Sequence, residues 1–228
     1  MPPFFRRCLG SLMVVLAATA ATSAGAADEV ASTWLDSYTT RLEALALLQT
    51  LNADLLSHDS ATATLDQWCA SHHLGDPPTI TAERVHDADK PATAAQRELL
   101  HVSATEPLAY RHVRLHCGTH VLSEADNWYV PSRLTPDMNQ TLEHSDTPFG
   151  RAVEALHFQR RTLSAKLLWA PLPEGWELTG PTAEHDNKLL IPHFVLEHTA
   201  VLSLPDGTPI SALTESYTAD VLAFPEPR

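Results

Sequence analysis

Apolar residues recur at helical spacing along residues 28 to 57, at Val30, Trp34, Leu35, Tyr38, Leu42, Leu45, Leu48 and Leu55. This pattern predicts a long N-terminal helix. A shorter helix is expected over 61–70, with Ser60 as its cap and Leu65, Trp68 and Cys69 on its apolar side. Gly75-Asp76-Pro77-Pro78 breaks the chain. Beyond it the period changes to two. Residues 79–85 read as a short strand, and 87–96 are polar and read as a loop. Residues 109–117 alternate Tyr110, His112, Arg114 and His116 against Arg111, Val113, Leu115 and Cys117. Gly118-Thr119 makes a turn and 120–130 returns, which predicts a hairpin. Pro131 ends that strand. Thr135 then caps a helix, with Pro136 at its first position and Asp137 at the positive end of its dipole. Residues 156–169 are β-compatible, and 171–188 form a Pro/Gly-rich surface excursion. Strands over 189–204 and 209–224 flank the turn Pro205-Asp206-Gly207. The sum is an α+β fold: a helical N-terminal region, then an antiparallel sheet with inserted helices on one side.

The first residues stand outside this pattern. Arg6 and Arg7 precede an apolar run, Leu12 to Ala21, and Ala24-Gly25-Ala26 fits a cleavage site. Residues 1–26 therefore read as a signal peptide, too short to span a bilayer. That leaves 27–228 as a single domain, periplasmic or secreted, with no membrane span after cleavage. Losing Arg6 and Arg7 leaves 13 basic residues against 28 acidic ones, a formal charge of -15 instead of -13. So acidic a chain argues against nucleic acid as a partner, because phosphate contacts need Lys and Arg. It still allows an anionic ligand in a locally positive pocket. The remaining cysteines, Cys69 and Cys117, form either a disulfide or two buried thiols. Of the thirteen histidines, His72-His73 and His112/His116/His120 suggest no metal, since the latter fall on a predicted hairpin and not on one helical face.

Five segments carry a family resemblance. Leu55 to Thr62 is an apolar pair followed by Asp-Ser-x-Thr. Tyr110-Arg111-His112-Val113-Arg114-Leu115 lies on a strand, and Asn127 to Leu134 contains Val130-Pro131. Thr147-Pro148-Phe149-Gly150 is a turn, and Leu213-Thr214-Glu215 comes late in a strand after a hairpin. In this order, over residues 50 to 222, the chain resembles chorismate lyase, which splits chorismate into 4-hydroxybenzoate and pyruvate. The resemblance implies a cofactor-free site in which Arg111 and the amides of Phe149 and Gly150 hold a ligand carboxylate. Glu215 would protonate the leaving enol-ether oxygen. The implied ligand is a small anionic aromatic or enol-ether acid. Related folds also serve as ligand sensors, so a non-catalytic binding role is the alternative.

The residues themselves allow these roles without compelling them. A guanidinium binds a carboxylate bidentately and keeps its charge when partly buried. Arg114, on the other face of the same strand, replaces Arg111 if the register slips by one. Ala212, Leu213, Tyr217 and Val221 predict an apolar surround for Glu215, which would raise its pKa and suit it to act as an acid. A solvated strand glutamate is the alternative. Thr-Pro-x-Gly also makes a turn in any protein. Asp126 stands where the family has a glycine, and predicts unhelpful negative charge close to the ligand.

Overall fold

Ser37 sets where the first helix begins. The computed structural model describes residues 29–86, 89–180 and 187–227, so the expected leader lies outside the described residues. Residues Glu29–Leu35 form a strand, β1, and the helix α1 spans Tyr38–Ser57. The expected start at residue 28 is thus corrected. Ser37 Oγ accepts from the Thr40 amide while Thr40 Oγ1 accepts from the Ser37 amide. This reciprocal cap fixes the helix start. Before it, Trp34 is fully buried and its Nε1 donates to the Phe224 carbonyl at 2.7 Å. Strand β1 pairs with a later strand, β6 (Lys188–Pro192), as a separate two-stranded sheet. The helical spacing of the early apolar residues therefore mixes two elements.

Helix α2 (Ala61–Ser71) follows, capped by Ser60, whose Oγ accepts from the Ala63 amide. The main sheet has six antiparallel strands in the order β2-β3-β4-β8-β7-β5. These are β2 (Ile80–Val85), β3 (Ala109–Cys117), β4 (His120–Tyr129), β5 (Gln159–Leu167), β7 (Phe194–Ser203) and β8 (Pro209–Thr218). The predicted β3–β4 hairpin forms, with Gly118 at φ 58°, and β7 and β8 are joined through Gly207 at φ 88°. Both values lie where glycine is at no disadvantage. The single strand expected over 189–204 is two, divided at His193. The last strand ends at Thr218, followed by a 3₁₀ turn over Ala219–Leu222. The expected loop over 87–96 contains the start of helix α3 (Ala94–Leu99), whose Thr93 and Gln96 form a capping box.

Two apolar clusters occupy one face of the sheet. In the larger, Leu48, Leu51, Leu55 and Leu65 of α1 and α2 meet Val113, Leu115, Ala125, Leu196 and Tyr217 of the strands. Each fully buried leucine contributes about 1.5–3 kcal/mol by its removal from water. In the smaller, Leu142 of α4 (Pro136–His144), Val153 and Phe158 pack on Ala200, Leu202 and Leu213. A third cluster lies on the opposite face, where Leu100, just after α3, packs with Trp128, Val201 and Ala212. Helix α3 is thus the exception to helices lying on one side. Cys69, in the last turns of α2, is disulfide-bonded to Cys117 at the end of β3, with Cα atoms 6.1 Å apart. A Cβ on Gly75 would stand 2.9 Å from both Cys117 Sγ and the Gly118 amide nitrogen, so only glycine lets the chain pass there.

Candidate functional site

A pocket lies between the two clusters of the helix-bearing face. Its apolar wall comes from Val113, Leu115 and Ala125 on one side and Phe158, Leu202 and Leu213 on the other. Its polar lining comes from Arg111, Asn127, Arg160 and Glu215, and from residues 59–62 at the start of α2. Phe149 and Gly150 complete it, opening the one-turn helix α5 (Phe149–Ala152). Strand alternation explains the selection: Arg111 pairs with Asn127 across β3 and β4, Asn127 with Leu213 across β4 and β8, and Glu215 is the next residue on that face.

Arg111 is 2% exposed. Its Nη2 donates weakly to the Thr147 carbonyl at 3.4 Å, and its buried Nε has no hydrogen-bond partner. Among the described residues no carboxylate pairs with it. Burial pushes its pKa below the ordinary arginine value; Tyr129 opposes that shift and Arg84 adds to it. A buried cation without a counter-ion is costly, and an incoming anion relieves the cost. The start of α2 contributes in the same sense. Ala61 and Thr62 line the pocket, and the first turn of α2 holds no acidic residue to cancel the positive end of the dipole. A Cβ on Gly150 would stand 3.0 Å from Thr62 Oγ1 and 3.1 Å from Ser60 Oγ, so this glycine lets α5 close against the same helix start.

The other end of the pocket is electrically different. Arg160 Nη2 lies 2.7 Å from Glu215 Oε2, with the two side chains 3% and 9% exposed. The Tyr217 hydroxyl donates to the same oxygen at 3.1 Å. Burial works against the Arg160 cation, but Glu215 and Tyr217 outweigh it and its pKa ends above the ordinary value. Burial, reinforced by Glu215, raises the Tyr217 hydroxyl well above its ordinary range. Below Glu215, its cross-strand neighbour His198 is fully buried, with Nε2 2.9 Å from Asn52 Oδ1 and Nδ1 unpartnered.

Arg111, Phe149, Gly150 and Glu215 thus line one pocket. Arg114 does not join them. It points from the opposite face, with Nε 3.3 Å from Glu124 and Nη1 3.9 Å from Glu83. Asp126 also faces away, bonded to the Tyr110 hydroxyl and 2.7 Å from Lys90 Nζ, so its charge does not enter the pocket. The apolar surround expected for Glu215 omits Arg160, and a guanidinium at 2.7 Å binds the charged carboxylate. Arg160 could have been suspected from Arg160-Arg161, since adjacent basic residues on a strand must face opposite ways. Among the described residues no group of three His, Cys, Asp or Glu side chains could hold a metal ion.

An antiparallel α+β domain with a buried, cation-lined pocket is the class that fold and site define. No family model matches the chain. It is 56% identical over 196 residues to the uncharacterized protein y4mC of Sinorhizobium fredii (strain NBRC 101917 / NGR234), covering 85% of this chain and 83% of the relative. The chain belongs to the family of y4mC. Among solved structures it is similar to PhnF from Mycobacterium smegmatis, with 14% identity and a TM-score of 0.41 over 64% of this chain and 61% of that one. The chain therefore spans less than two thirds of that protein. It is also similar to the effector domain of PhnF (13%, TM-score 0.41, 67% and 90% covered) and to a GntR-family transcriptional regulator from Enterococcus faecalis V583 (13%, TM-score 0.40, 64% and 99% covered). Such distant likenesses carry no inference about ligand or activity.

Proposed function

We propose that this protein binds a small carboxylic acid in the pocket, with Arg111 as the anchor of the carboxylate. The observation that carries this reading is the buried Arg111 guanidinium, unpaired by any carboxylate among the described residues, at the edge of an apolar cavity. The apolar wall suits an aromatic or branched body. The amides of Phe149 and Gly150, at the start of α5, are the second contact for the acid group. The protein acts outside the cytoplasm; the leader pattern of residues 1–26 and the Cys69–Cys117 disulfide support export.

A second reading is cleavage of chorismate or a related enol-ether acid. It is favoured by Glu215 lying in the same pocket as Arg111. The ion pair with Arg160 weighs against it, because the 2.7 Å contact engages the carboxyl group that would have to face the substrate as a proton donor. Binding without turnover is therefore the better supported of the two. Calorimetric titration with 4-hydroxybenzoate and benzoate tests the first reading: binding should be present in the natural protein and absent in Arg111→Gln. Incubation with chorismate, following pyruvate and 4-hydroxybenzoate together, tests the second. Stoichiometric release of both, lost in Glu215→Gln, would overturn the non-catalytic assignment.

A further inference from the structure

The charges buried around the pocket do not balance. Arg111 and Arg160 supply two cations, and Glu215, held 2.7 Å from Arg160, supplies one anion. Asp59 also lines the pocket, but it is exposed and its Oδ1 accepts from the Arg160 backbone amide at 2.8 Å. Arg84 adds positive field on the Arg111 side, and among the described residues no carboxylate pairs with Arg111. One end of the cavity therefore carries an uncompensated positive charge, and the other ends in an ion pair that is already neutral. By the strand register Val113, Ala125 and Leu213 lie between Arg111 and Glu215 on this face, with Asn127 beside Arg111.

Building on the anion-site reading above, we propose that the pocket selects singly charged acids with an apolar body and rejects dicarboxylic acids, with the Arg160–Glu215 pair as the specificity determinant. One carboxylate at Arg111 brings the buried groups to two cations and two anions. A second carboxylate at the far end would meet Glu215 and make three anions against two cations, in a site shielded from water. The register sets the distance. Arg111 and Glu215 stand on strands two apart and two residues out of line, about 12 Å at the backbone, so an acid group para to the first on a benzene ring is carried toward the pair.

The test is calorimetric titration of the purified protein with benzoate and with benzene-1,4-dicarboxylate, which share a ring and differ in the second acid. The natural protein should bind benzoate at least about tenfold more tightly. Glu215→Gln removes one negative charge and should narrow or invert that preference. The double substitution Arg160→Gln/Glu215→Gln removes the Glu215 anion together with its partner, so it should narrow the preference as well; this variant decides the matter if the single one does not fold, and a preference it leaves intact would place the selection elsewhere. Equal or tighter binding of the diacid by the natural protein, with both acids lost in Arg111→Gln, would overturn the selection while leaving Arg111 as anchor. A benzoate preference that Glu215→Gln leaves unchanged would overturn the assignment to the ion pair. If neither acid binds, or Arg111→Gln changes nothing, the anion-site reading falls and the selection with it.

Discussion

Replacing Arg160 by glutamine should destabilise the fold more than an ordinary polar substitution does. The Arg160 and Glu215 side chains are 3% and 9% exposed and 2.7 Å apart. At an effective dielectric constant of about 20 their attraction is worth ~6 kcal/mol before desolvation is charged against it. Desolvation offsets much of that, and loss of one partner from such a pair costs about 3–5 kcal/mol, because the other charge stays buried. In Arg160→Gln, Glu215 keeps the Tyr217 hydroxyl at 3.1 Å but no cation among its hydrogen-bond partners. Urea unfolding near neutral pH gives the loss directly. The double variant Arg160→Met/Glu215→Leu should recover most of it, since neither charge is then buried. A loss below about 1 kcal/mol in Arg160→Gln is the range of solvent-screened pairs, and would refute the burial of this pair.

Arg111→Met removes an unpaired buried cation; it should hold or raise stability by about 1–2 kcal/mol while abolishing benzoate binding, as thermal unfolding and calorimetry would report. A large loss of stability would mean that Arg111 is structural. His198 is held below the ordinary imidazole range by burial and then by Arg160, with Glu215 opposing. Its folded pKa lies below the unfolded one, so its contribution is complete above about 6.5 and drains away as pH falls through that value toward the folded one. Urea unfolding from about pH 7.5 to about pH 5 should show the natural protein losing stability faster than His198→Gln; parallel curves would sink the assignment. Cys69→Ser/Cys117→Ser opens a link across 48 residues and should cost ~4 kcal/mol by chain entropy, readable as a lower midpoint in urea. An unchanged midpoint would show that the unfolded chain gains nothing from the release.

The parts of the fold legible in the sequence are those where a local signal and a tertiary one agree. The β3–β4 hairpin announces itself through alternation and Gly118, and Thr135-Pro136-Asp137 opens α4 because cap, proline and dipole favour the same start. The apolar spacing starts the first helix too early because Trp34 and Leu35 of β1 continue the helical spacing of α1. The signal that separates them, Ser37 with Thr40, is a cap lying within the span over which the apolar residues keep helical spacing. In the site, Arg111, Phe149, Gly150 and Glu215, which line one pocket, all lie in ordered sequence motifs. Arg160 and His198 lie outside those motifs: the Arg160-Arg161 doublet says only that one arginine must face inward, and nothing local marks His198. Each matters only through a partner far along the chain, Glu215 for one and Asn52 for the other.

An overall charge of -13 and a pocket for an anion are compatible because they act at different ranges. Surface charges are screened within about 8 Å at physiological ionic strength, and so bear on how often a negatively charged ligand arrives. Arg111 and the start of α2 act at contact distance, in a cavity lined by Val113, Leu115, Phe158 and Leu213, where little water screens them. The acidic surface therefore slows encounter without weakening the bound state. The disulfide serves the same end mechanically. It joins the far end of α2 to the strand that carries Arg111, so the two positive elements of the site are fixed to one another. Preorganisation of this kind is what lets a single unpaired guanidinium hold an acid within a protein whose net charge opposes it.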